Sequence, residues 1–269
     1  TFMKSLLSSL AALAVLTACS ETSKLPSGAD LGRQPKIVEP VRTLIPTVNV
    51  APAQGWPMGA APQAAAGTQV SAFATGLSHP RWLHVLPNGD VLVAETNAPE
   101  RPEQGQGIKA KAMKFFMKRA GAGVPSANRI TLLRDADGDG QPEMRSVFVE
   151  GLNSPFGMAL VGDKFYVANT DAVVGFAYQE GQTQLTAPPR LLTDLPAGPR
   201  NHHWTKNLIA NANGTRLYVT VGSNSNVAEN VMEAEQGRAA IWEVERLSGE
   251  HRIFASGLLG MMSGSIISN

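Results

Sequence analysis

One phrase recurs along this sequence, and it constrains the fold more than any other feature. Phe73-Ala-Thr-Gly76-Leu77-Ser-His-Pro80 leads into Trp82-Leu83, the turn residues Pro87-Asn88-Gly89-Asp90 and the run Val91 to Glu95. Phe148-Val-Glu-Gly151-Leu152-Asn-Ser-Pro155 leads in the same way into Phe156 to Leu160, Gly162-Asp163 and Phe165 to Asn169. A looser copy runs from Leu192-Thr-Asp-Leu195-Pro196 through Leu208-Ile209 and Asn213-Gly214 to the stretch Leu217 to Gly222. Phe254-Ala-Ser-Gly257-Leu258 opens a fourth. Each unit reads as three strands separated by turns. Asn-Gly and Gly-Asp pairs tolerate positive φ and favour tight hairpins. Val91 to Ala94 and Leu217 to Val221 are apolar almost throughout, as inner strands covered on both faces must be. The Gly-Leu (or Leu-Pro) marks stand 75, 43 and 63 residues apart, the first interval lengthened by an insert. Short strands repeating at about 40 to 50 residues predict an all-β fold of the β-propeller type. A β-sandwich would not repeat a whole phrase at this spacing. Three units and the start of a fourth fall short of a ring of about 4 to 8 blades, so the expectation is a partial, truncated propeller.

Composition narrows the function classes. The chain has 23 basic and 22 acidic residues and a net charge of +1, which argues against nucleic acid or acidic lipid as a partner held by global charge. Hydrophobic residues make up 43%, enough for a sizeable core, and 26 Gly with 18 Pro favour a turn-rich chain over a helical bundle. A single cysteine excludes a disulfide framework, a cysteine zinc cluster and an iron–sulfur site within the chain.

That cysteine ends an address. Met3-Lys4, the apolar run Leu6 to Leu16 and then Leu16-Thr17-Ala18-Cys19 have the order of a secretory signal, and the run is too short for a spanning helix. Leu-Thr-Ala-Cys resembles the bacterial lipoprotein signal, which implies cleavage after residue 18 and lipidation of Cys19. A plain signal peptide holding a Cys, or a buried helix, is the other reading. Ser20, not Asp, follows the Cys, which by that resemblance implies the periplasm of a Gram-negative bacterium, anchored to the outer membrane. Residues 19–68 carry Pro26, Pro35, Pro40, Pro46, Pro52, Pro57 and Pro62 and read as a tether, although Lys36 to Val50 alternates and could add an edge strand. The expected organisation is signal 1–18, tether 19–68 and partial propeller 69–269, with an insert at about 100–127.

Three phrases together resemble the sorbosone dehydrogenase family: the Gly-Leu-x-x-Pro openings, Ser126-Ala-Asn-Arg-Ile-Thr-Leu-Leu-Arg134, and Asn201-His202-His203-Trp204-Thr205-Lys206-Asn207-Leu208. That family is related to the soluble glucose and aldose sugar dehydrogenases, six-bladed propellers that use pyrroloquinoline quinone (PQQ). The resemblance implies oxidation of a sugar CH–OH or aldehyde group, a reaction that needs a base for the O–H proton while hydride leaves from carbon. An imidazole can accept that proton near neutral pH. By resemblance His203 carries the base role, with His202 the alternative one residue out of register. The same resemblance places Asp90 near the quinone, equally explained as a hairpin residue, and puts Ser223 and Asn224 in the pocket lining. Trp204 could stack on a planar cofactor or pack between blades.

The family's fourth Gly-Leu mark is followed by an Arg-Asn pair that holds the quinone. Here Gly257-Leu258 is followed by Leu259-Gly260-Met261, which supplies no charge-assisted bonds. The expectation is therefore an incomplete copy without PQQ-dependent activity as written. A non-catalytic propeller binding a carbohydrate or a protein is the rival reading.

Two stretches stand apart from the repeat. Asp135, Asp137 and Asp139 followed by Gly140 match the first half of a calcium loop, with Glu143 the only later carboxylate. The alternative is a solvated Asp/Gly hairpin turn. Calcium, if bound there, would be structural. From Glu100 to Arg119 the insert has six basic and two acidic residues interleaved with Met113, Phe115, Phe116 and Met117. It reads either as an amphipathic helix on a membrane surface or beside the site, or as a solvated insertion.

Overall fold

Runs of Val, Leu, Ile and aromatic residues between Gly-bearing turns form strands throughout the second part of the chain. The structure is a computed structural model that describes residues 25–36, 50–99, 107–199, 201–225 and 230–258. Cys19 and the signal segment lie outside the described residues, as does most of the alternating stretch 36–50. The chain divides into two compact units, residues 1–52 and 53–269. In the first unit, the described residues form turns closed by bonds such as Leu31 N–H to Gly28 O, with no helix or strand. Among the described residues, no helix is long and apolar enough to cross a membrane.

In the second unit, the described residues form twelve strands in three four-stranded antiparallel sheets. The first holds β1 (Pro80–Val85), β2 (Val91–Glu95), β3 (Arg129–Arg134) and β4 (Met144–Val149). The second holds β5 (Met158–Val161), β6 (Lys164–Ala168), β7 (Ala172–Ala177) and β8 (Arg190–Asp194). The third holds β9 (Leu208–Ala210), β10 (Arg216–Val221), β11 (Ala240–Glu245) and β12 (His251–Ser256). Within each sheet, every strand pairs with the next in sequence. Consecutive four-stranded meanders of this kind are propeller blades.

The blade has one strand more than the phrase suggests. Phe148-Val149, Thr193-Asp194 and Phe254 to Ser256, which open the phrase, belong to the outermost strands β4, β8 and β12. The phrase therefore straddles two blades. Its Gly-Leu or Leu-Pro mark follows the last strand of a sheet, at the turn out of it.

The hairpins form where the turn residues stand. Gly89 adopts φ 89° between β1 and β2, and Leu86 N–H closes the turn onto Asp90 O at 2.8 Å. A residue with a Cβ would be strained there.

Two cores lie between sheets. Leu92, Ile130 and Phe148 of the first blade pack on Phe165, Val174 and Phe176 of the second. The rings of Phe148 and Phe165 meet edge-on at 5.3 Å. Tyr166 and Val173 of the second blade pack on Leu217, Val219 and Trp242 of the third. Gly157 allows the starts of β5 and β9 to touch, because a Cβ there would lie 2.5 Å from the Leu208 nitrogen.

Among its described residues, the insert between β2 and β3 carries the helix α1 (Ile108–Arg119). Met113, Phe115 and Met117 on it are exposed and Phe116 is half-buried. The residues after α1 are tied down by the Asn97 side-chain amide, which donates to the Ala122 and Val124 carbonyls.

Candidate active site

Strand direction sorts the chosen residues into two groups. Each second strand (β2, β6, β10) runs towards one end of its blade, where the connection to the third strand and the links between blades lie. The hairpins joining first to second strands, and third to fourth, lie at the other end. His202, His203, Ser223 and Asn224 share the first end. Asp90 and the loop 135–143 lie at the second.

Asp90 is buried in the β1–β2 hairpin, and Arg134 at the end of β3 takes both its oxygens, each at 2.7 Å. The Arg134 hydrogen bonds hold its carboxyl below the ordinary aspartate range, against the effect of burial. Asp90 is thus a clamp between β2 and β3, and the structure does not bring it to the histidines.

The β3–β4 hairpin is the acidic loop. Ligand oxygens of Asp135, Asp137, Asp139 and Glu143 lie within 4.8 Å of one another. Each of these carboxylates also accepts a backbone N–H, from Gly138 and Gly140, Asp139, Gln141 and Ala136 respectively. The loop turns on its own bonds, far along the strands from the histidines.

The histidine end is built by the link between β8 and β9 and the turn after β10. Gly222 opens the slot, since a Cβ there would stand 2.5 Å from the His203 Cβ. His203, half-buried, brings Nδ1 to 2.8 Å from Ser223 Oγ and 3.2 Å from the Ser223 carbonyl. The His202 N–H donates to the Asn224 carbonyl at 3.2 Å, so the two segments lie side by side. Asn224 is buried; its N–H donates to Glu235 at 2.7 Å, and its Oδ1 accepts from Asn230 at 2.9 Å.

Two cations are buried beside this pair. Lys206 is fully buried, and its Nζ donates to the His203 carbonyl at 3.5 Å. Burial first, and then the nearby Arg238 charge, push Lys206 down to about 7. Arg238 donates to Asn201 Oδ1 at 2.9 Å and to the Ala197 carbonyl. Burial lowers its pKa, with Glu235 opposing. Asn201 continues to Thr170 Oγ1 at 2.9 Å, and Thr170 to the Trp204 carbonyl at 3.0 Å, so the histidine segment is laced to the second blade. A cavity of about 200 Å³ opens here, lined in part by Asn153, Thr170, Asp171 and Asn201. Trp204 is buried, with the Arg81 guanidinium 5.3 Å from its ring centre.

Residues 119–259, more than half of the sequence, match the TrAA12-like family model. The chain belongs to the TrAA12-like family. No curated protein matches its sequence significantly. Solved structures similar to this TrAA12-like chain include the PQQ domain of pyranose dehydrogenase from Coprinopsis cinerea, in its holo form. It is 19% identical over 65% of this chain and 35% of that one, with a TM-score of 0.44. A Trichoderma reesei protein of Carbohydrate-Active Enzymes Family AA12 is 19% identical over 69% of this chain and 40% of that one, TM-score 0.48. The PQQ-bound aldose sugar dehydrogenase of Streptomyces coelicolor is 18% identical over 67% and 48%, TM-score 0.40. The chain thus spans less than half the length of each of these three.

The histidine end of the TrAA12-like chain gathers buried cationic and hydrogen-bonding groups that suit an anionic, polar ligand. Neither Lys206 nor Arg238 is ion-paired with a carboxylate among the described residues. Asn169, at the end of β6, has a buried Oδ1 with no hydrogen-bond partner. Two buried basic groups without a carboxylate partner among the described residues, with a spare acceptor at the same end of the blades, suit an anionic ligand that also carries a donor. Lys206 lies within the histidine phrase Asn201 to Leu208, a charge just before an apolar strand, and is readable there as a signal. Arg238 and Glu235 follow a stretch without period or motif, and nothing in the sequence marks them.

Proposed function

We propose that this chain carries the histidine half of a PQQ-dependent oxidoreductase site for sugars, oxidising a CH–OH or aldehyde-hydrate group with His203 as general base. The observation behind this reading is a half-buried His203 tied through Nδ1 to Ser223, beside the buried cations Lys206 and Arg238, in a TrAA12-like chain. When bound, PQQ supplies the acceptor for the hydride that leaves the substrate carbon. The chain's own part is the proton: His203 Nε2 takes it from the substrate hydroxyl as the C=O bond forms. Lys206 and Arg238 would hold carboxylates of the quinone, with Ser223 and Asn224 lining the pocket beside His203. His202 shapes the segment through its backbone bond to Asn224. Cys19 would tether the domain to a periplasmic membrane surface through the Pro-rich segment, which keeps it near sugars outside the cytoplasm.

The test is dye reduction with aldoses after adding PQQ and calcium. In a form of the protein that reduces dye with added PQQ, His203→Asn should lower kcat/KM by about 10²- to 10⁴-fold, the usual contribution of a general base. Full activity in that variant, or absence of quinone binding by the wild type, would refute the reading. Sugar binding without quinone binding would point instead to a carbohydrate-binding propeller.

A further inference from the structure

The proton positions around His203 follow from its neighbours. The Ser223 hydroxyl donates its only hydrogen to the Ser225 carbonyl, Oγ to O 2.7 Å. Its Oγ can then only accept from Nδ1 of His203, 2.8 Å away. The Ser223 carbonyl, 3.2 Å from the same Nδ1, is also an acceptor only. Two acceptors face one ring nitrogen, so that nitrogen carries the hydrogen and Nε2 keeps its lone pair.

The turn that aims Ser223 is itself pinned. Glu235 accepts the Asn224 N–H at 2.7 Å, and it accepts both the N–H and the hydroxyl of Ser225, at 3.1 and 2.7 Å. Ser223 and Ser225 are both buried, so these bonds do not compete with bulk water.

We infer that Ser223, held by Glu235 through the Asn224–Ser225 turn, is the positioning residue that fixes His203 in its Nδ1–H form and leaves Nε2 as the proton acceptor. The inference rests on the reading of His203 as the base. A histidine side chain in water favours the opposite, Nε2–H tautomer, so the neighbours must supply the preference. A neutral hydroxyl does this without placing a negative charge beside the imidazole.

The test is ¹⁵N NMR of the histidine rings in the 269-residue chain without cofactor. The sequence holds five histidines, and loss of one ring pattern in His203→Asn assigns His203. In the neutral-ring wild type, Nδ1 should show the pyrrole-type shift and Nε2 the pyridine-type shift. Ser223→Ala, which removes the hydroxyl but keeps the backbone carbonyl, should move the ring part-way towards the Nε2–H pattern, and Ser223→Thr, which keeps a hydroxyl, should restore the wild-type pattern. Glu235→Gln, which reverses one bond partner of the turn, should give a mixture. A wild-type Nε2–H ring, or a Ser223→Ala spectrum like that of the wild type, overturns the inference. The spectrum needs no loaded enzyme, so the base reading fails separately, through full activity of His203→Asn with PQQ.

Discussion

At the scale of single residues, the histidine end is costly to build, and the cost can be measured. Burial, and then the nearby Arg238 charge, push Lys206 down to about 7 in the folded chain from an ordinary 10.5. Between those values the unfolded chain binds a proton that the folded chain does not, so stability rises with pH across that window. Below about pH 7 both forms are charged and the full burial penalty applies, on the order of 5 kcal/mol as an upper bound. Lys206→Met should therefore stabilise the chain most near pH 6, with the gain shrinking as pH approaches 10.5. Chemical denaturation over a pH series checks this, and a gain independent of pH would show that Lys206 is not buried as a cation. Gly222 is the second residue whose role is visible. Gly222→Ala would drive a Cβ into His203 and should cost about 1 to 3 kcal/mol, with a loss of activity in a loaded enzyme. Thermal melts beside dye assays separate the two effects.

At the scale of strands and hairpins, the sequence marks the interior well and the two ends of a blade poorly. Val91 to Ala94 and Leu217 to Val221 read as inner strands and lie within sheets, mostly buried, because burial on both faces leaves a continuous apolar run. The outermost strands escaped as separate elements because they carry the opening words of the next phrase. Asp90 shows what a linear reading cannot resolve. A hairpin aspartate looks the same in sequence at either end of a blade, and only strand direction places it away from His203. Asp90→Asn should cost about 1 to 3 kcal/mol, since Arg134 loses a charged partner. It should leave PQQ binding unchanged, so weakened binding would mean the two ends are coupled. The exposed α1 illustrates the same limit: its alternating Lys, Met and Phe residues imply an amphipathic helix, yet little of it is covered.

At the scale of the whole molecule, the phrase carried the architecture and the histidine segment carried the site. The supporting residues could not be read in advance. His203 stands in a motif, but the groups that orient it and surround it with charge come from the second blade (Thr170) and from the turn and loop after β10 (Ser223, Glu235, Arg238). Their chain separations range from 20 to 35 residues, and only folding brings them together. The proposed cofactor site is a property of that end of the blades, not of one motif. The most direct measurement is a crystal structure of this chain grown with PQQ and calcium. Quinone density should lie at the histidine end, in reach of Lys206 and Arg238. Density at the Asp90 end, or none at a quinone concentration that saturates a binding titration, would contradict the assignment.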